Sequence, residues 1–222
     1  MPSDGDTAIV LLNDTIRLND NRTIHAMRVR QGGVLDFGSN SLEIKGDFDL
    51  KGSFLGLTEL AFTGTSDQIL DMASEDTLSE LLVDKSSGNL LAGQSMVVSD
   101  TLKMLKGLLD LEGDTLTLGS GSGSDEAGGL NWISGRIEGN FRRWINQTNR
   151  DYLFPLGTKS YKRFAVFNFS DLNTGMLNSE FIAEDPGSDG LPVHENDTLW
   201  VDSVFTEGYW RMKPSNGLNS FG

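Results

Sequence analysis

The sequence predicts an all-β chain: a right-handed parallel β-helix, or β-solenoid, over residues 1–128, followed by a β-sandwich-like module over residues 129–222. Three observations predict it. Apolar stretches run for four to six residues, alternate with polar ones and are punctuated by 26 glycines, a strand-and-turn pattern rather than a helical one. One segment is repeated: Gly33-Val34-Leu35-Asp36-Phe37 through Ile44 aligns without a gap on Gly107-Leu108-Leu109-Asp110-Leu111 through Leu118, 74 positions on. Composition also shifts after the Gly-Ser run from Gly119 to Gly129, beyond which lie all four tryptophans and all three tyrosines.

Taken in order, candidate strands are Ala8 to Leu12, Val34 to Phe37, Ser41 to Ile44, Phe48 to Leu50, Leu81 to Val83, Met96 to Val98, Leu108 to Leu111 and Thr115 to Leu118. A single helical turn is expected around Ala73 to Leu78. Both repeat copies read Gly-apolar-Leu-Asp-apolar, a polar turn, then Ser/Thr-Leu-x-apolar, which gives them the same inward positions. A looser match of Met27–Gly33 with Leu81–Gly88 shortens the period, and a third of the offset is about 25 residues, one coil of a parallel β-helix. Each coil hydrogen-bonds only to its neighbours, with Gly, Asn, Asp and Ser at the corners where φ is positive or unusual. An antiparallel sandwich with two similar hairpins is the alternative. The Gly119–Gly129 run reads as a flexible connector and domain boundary, and Phe164 to Phe169 and Leu199 to Val201 as longer strands of the module beyond it.

Eighteen Lys and Arg against 32 Asp and Glu give a formal charge of −14, which opposes nucleic acid and anionic lipid. Cysteine is absent, excluding disulfides, thiolate metal sites and Cys nucleophiles. No apolar run reaches the ~18 residues of a membrane span, and Met1 to Asp6 lacks the regions of a signal peptide. We expect an extracellular or cell-surface location, with the export signal outside this fragment.

With these residues in view, the chain resembles the repetitive adhesin-like surface proteins of Bacteroidetes-type bacteria, including cargo of the type IX secretion system. The matching elements are Leu60 to Ile69, Leu81 to Val83, Ser86 to Gly88 and Gly107 to Gly119, then Gly135 to Arg143, Tyr152-Leu153-Phe154-Pro155-Leu156-Gly157 and Gly208-Tyr209-Trp210. The resemblance implies a secreted, repetitive all-β segment. It is weakly specific for function, and the family's C-terminal sorting domain is not among the matched elements.

Catalytic signatures are scarce. His25 and His194 stand in no metal-ligand spacing, and there is no Gly-x-Ser-x-Gly elbow, phosphate loop or His-Glu-x-x-His. The candidate carboxylates for a polysaccharide-cleaving face are Asp36, Asp47, Asp49, Asp84, Asp110 and Asp114. Asp36 and Asp110 occupy equivalent coil positions in the two repeat copies, so they are expected to stack in register on an outer face and are the candidate Ca²⁺ ligands, the one cofactor considered. Asp4-Gly5-Asp6 and Asp125-Glu126 lack a calcium-repeat period. Trp132, Trp144, Tyr161 and Trp200 are the candidate sugar-stacking residues, with core or cap packing as their plainer role. Tyr152, Phe154 and Pro155 read as a packing corner. The expectation is a non-catalytic structural or adhesive segment whose solenoid is a rigid spacer. Other surface proteins or glycans are its expected partners, and no nucleic acid or membrane insertion is expected. A carbohydrate-binding or lyase-like β-helix protein is the alternative, and a flat ice-binding-like or filament-forming sheet ranks behind both because the coils keep no Thr or Asn ladder. Oligomeric state is left open.

Overall fold

The computed structural model describes residues 5–56, 59–72, 76–194, 200–201 and 203–219. Among them there is no helix. The expected helical turn falls partly on Ala73 to Glu75, outside the described residues, while Thr77 and Leu78 already belong to the strand Thr77–Ala92.

The chain is a parallel β-solenoid built on three ladders. On the first, Thr7–Val10, Ala26–Val29, Phe48–Leu50 and Gln68–Asp71 stack in parallel. The ladder continues through Asn89 to Leu91, Leu108 to Asp110 and Arg136 to Glu138. The second starts with Thr15–Arg17, Val34–Asp36 and Ser53–Leu55. The third stacks Arg22–Ile24, Leu42–Ile44, Glu59–Phe62, Glu80 to Val83, Thr101 to Met104 and Gly129–Trp132. Alternation dictates which residues go inside: Leu42, Leu60, Leu81 and Leu102 form one fully buried column, and Ile44, Phe62, Val83 and Met104 another. Removing any one of these larger aliphatic side chains to alanine costs about 2–5 kcal/mol, because neighbouring coils cannot collapse onto the gap.

The coil step is shorter than the sequence suggests. Met27, Phe48, Leu70 and Ala92 follow one another at 21 or 22 residues, and Ile16, Leu35 and Phe54 at 19. The 74-residue repeat therefore does not join equivalent coil positions. Leu35 stacks between Ile16 and Phe54 on the second ladder, whereas Leu109 stacks between Leu90 and Ile137 on the first. What repeats is a corner. Asp36 Oδ1 accepts the Gly38 N–H at 2.8 Å and Asp110 Oδ1 the Glu112 N–H at 3.1 Å, in each case beside a backbone at positive φ, 60° at Gly38 and 49° at Glu112. This is the Asp-capped turn that lets a chain leave one sheet face for the next.

The Gly-Ser run is a corner insertion rather than a boundary. Leu102 pairs with Leu130 and Leu109 with Ile137, steps of 28 residues that bracket it. The insertion is tied down by Gly119 N–H to Val98 O, Ser120 N–H to Glu126 O and Asn146 Nδ2 to Gly123 O. Parallel pairing extends past it to Arg143.

Beyond Arg143 the direction changes. Phe141 to Ile145 pair antiparallel with Gly175 to Ser179, and Gly175–Ile182 pairs antiparallel with Tyr209–Ser215. These strands extend the solenoid's own 13-stranded sheet. A hairpin of Asp151–Phe154 and Ala165–Asn168 closes the end of the core. Phe154 lies 5.8 Å from both Phe141 and Phe167, edge-on. Arg143, 3% exposed, holds the hairpin by donating Nη1 to Leu153 O at 2.8 Å. Tyr152, Phe154 and Pro155 are indeed the packing corner, all three buried.

Candidate functional site

Glycine at 157 opens a loop, Gly157 to Phe164, that lies against the last coil. A side chain at 157 has no room, since its Cβ would stand 2.5 Å from Tyr161 O. Arg136 fixes the loop from below by donating Nε to Thr158 O and Nη2 to Lys159 O, both at 2.6 Å. The loop's inner edge covers two carboxylates, and its outer edge carries aromatic rings.

On the inner edge, Asp110 and Glu138 sit in register on adjacent parallel strands. Asp110 is 6% exposed and pairs with Lys159 Nζ at 3.2 Å. The Lys159 ammonium is held above its usual pKa, chiefly by that bond. Glu138 is pushed above the usual carboxylate range, first by burial and then by the Asp110 charge beside it. Its Oε2 is buried and lacks a hydrogen-bond partner.

On the outer edge, Arg163 organises the rings. Its Cζ stands 5.0 Å from the Tyr161 centroid, 5.5 Å from Phe181 and 5.7 Å from Phe205, distances at which the guanidinium is attracted to each ring face. Glu207 takes its Nη2 at 2.8 Å, and Trp210 donates Nε1 to its carbonyl at 2.7 Å. Phe164 packs on Trp132 at 5.8 Å. Tyr161 remains 62% exposed and Phe205 56%, so flat ring faces stand in water on a rigid support.

The predicted stacking residues are thus divided. Trp132 packs on Phe164 at the end of this loop, and Tyr161 lies within it. Trp144 sits on the antiparallel strand opposite Met176, and Trp200 in a separate short pairing with His194. The predicted Ca²⁺ pair is separated: Asp36 lies on the second ladder and takes Arg17 Nε at 3.5 Å, while Asp110 lies on the first and faces Lys159. Two carboxylates on different faces have no common cation position, and among the described residues no three His, Asp or Glu form a metal-ligating group. Asp47 and Asp114 serve structure, accepting from Ile69 N–H and Ser95 Oγ–H respectively. His25 lines an open groove with Lys45 and Asp47; the His194 side chain lies outside the described residues.

Comparison with known proteins adds nothing to this geometry. No family model, curated protein or solved structure matches the chain.

Sequence reasoning missed Glu138, Arg163 and a second polar feature, the buried pair Gln68 and Lys85. Lys85, 1% exposed, donates Nζ to Gly64 O, Ser66 O and Gln68 Oε1 at 2.6–2.9 Å. Gln68 in turn donates to Ile44 O and Gly46 O. The two side chains satisfy inward-pointing carbonyls at successive corners, where sheet pairing is interrupted. Gln68 stood within the Leu60-to-Ile69 element of the family resemblance, but an alternation count alone places a Lys outside.

Proposed function

We propose that this chain is a non-catalytic structural and adhesive segment of a large exported bacterial surface protein. The solenoid is a rigid spacer in which each coil is held on two sides. The antiparallel strands beyond Arg143 act as one layer of a sandwich-like cap that presents a binding face for glycans or other surface proteins. The observation that supports this most is the hydrophobic core, which runs unbroken from Ala8 in the first coil to Leu156 and Leu218 beyond the last. The adhesive part is supported by the exposed rings supported by Arg163, since flat aromatic faces stack on the apolar faces of sugars.

A second reading, a polysaccharide-cleaving β-helix protein, is favoured by one observation: Glu138 stands beside Asp110 and Lys159, and burial holds its carboxyl above the usual range, as a general acid requires. One experiment decides between the two. The purified chain is offered a panel of bacterial and plant polysaccharides, and both retention and chain cleavage are measured. Retention without cleavage is the expected result. Cleavage that Glu138→Gln abolishes would overturn the non-catalytic reading in favour of the second.

A further inference from the structure

We propose that the Gly157–Phe164 loop is a binding site for anionic polysaccharide, with Tyr161 stacking on a sugar ring and Lys162 pairing with its carboxylate or sulfate. This deepens the adhesive reading and depends on it. Charge is the first observation. The chain is strongly acidic, yet between Arg136 and Arg163 seven Arg and Lys stand against two Asp and Glu.

The structure sorts those seven cations. Arg143 is buried in the cap, Arg142 donates to Asn178, and Arg150 to Gln147. Arg136 is used by the loop backbone, Lys159 by Asp110 and Arg163 by Glu207. Lys162 is exposed and, among the described residues, makes no ion pair. Its backbone is fixed by a bridge to Gly157, and Tyr161 and Phe164, close to it in the loop, keep exposed rings.

A ring face recognises any pyranose, so the rings alone do not select among sugars. A free ammonium beside them does, because an ionised acceptor makes the stronger, charge-assisted hydrogen bond. Residues 1–128 carry nine Lys and Arg against 21 Asp and Glu, so net like charge opposes a polyanion along the solenoid.

The test is retention of the whole chain on immobilised polygalacturonate, dextran sulfate and neutral dextran. Three variants accompany it: Lys162→Glu, Tyr161→Ala and, on the solenoid away from the loop, Lys45→Glu. Retention by either anionic polymer, reduced at least about tenfold by Lys162→Glu, reduced by Tyr161→Ala and unchanged by Lys45→Glu, supports the site. Which polymer is held identifies the anion. Equal retention on neutral dextran that Lys162→Glu leaves unchanged overturns the anionic selectivity while the adhesive reading stands. Binding to none of the three polymers overturns the site and removes the glycan arm of that reading. Binding only to vesicles containing anionic lipid overturns the polysaccharide assignment.

Discussion

Lys85 carries a charge into a place where a coil needs donors more than it needs apolar volume. Burial pushes its pKa down to about 8, against the coulombic pull of Asp67 in the other direction. Between pH 8 and the usual 10.5 the unfolded chain therefore holds a proton that the folded chain releases, and stability rises with pH across that window, by at most about 1.4 kcal/mol per unit. Below pH 8 the burial cost is present in full. Lys85→Met removes the donor to the Gly64 and Ser66 carbonyls, while Gln68 Oε1 keeps the Gly64 N–H, and lowers stability at pH 7 by about 1–3 kcal/mol. Denaturant unfolding of the two proteins at pH 7 and pH 10 checks both statements. The gap between wild type and variant widens at the higher pH, and a gap that narrows would contradict the linkage.

The elements show which parts of the fold were legible. Strand alternation was: Leu42 and Ile44, Leu81 and Val83, and Leu116 and Leu118 are buried as their patterns require. The coil step was not, because the strongest repeat in the sequence records a local turn. Asp36 and Asp110 do the same work at corners of different faces, and a sequence alignment has no means of telling one corner of a solenoid from another. The Gly-Ser run misled for a related reason. Its composition is that of a linker, yet each end is fixed by pairing it cannot itself reveal. Gly119 is the point where this is decided, with φ at +95° and no room for a Cβ, which would stand 2.6 Å from Glu126 O. Gly119→Ala is expected to cost more than about 1 kcal/mol, read as a lowered thermal midpoint. A flexible linker would tolerate it without change. The candidate site was half legible, through Trp132, Tyr161 and Asp110. Glu138 and Arg163 acquire their roles only when the loop folds back over the last coil.

At the scale of the whole molecule, one solenoid passes through the Gly-Ser insertion and ends in an antiparallel cap built on its own sheet. A boundary at that insertion would instead give two units joined by a tether. The absence of cysteine makes the distinction directly measurable, because any disulfide has to come from introduced residues. Adjacent parallel strands lie about 4.8 Å apart, within the Cα separation of about 4.4–6.8 Å that a disulfide accepts. The measurement is oxidative cross-linking of two double variants, Asp110→Cys with Glu138→Cys and Asp36→Cys with Asp110→Cys. Rapid, near-complete bridging of the first pair and none of the second is the predicted result. Bridging of Asp36 with Asp110, or failure of Asp110 to reach Glu138, would contradict the coil register and the continuity of the solenoid together.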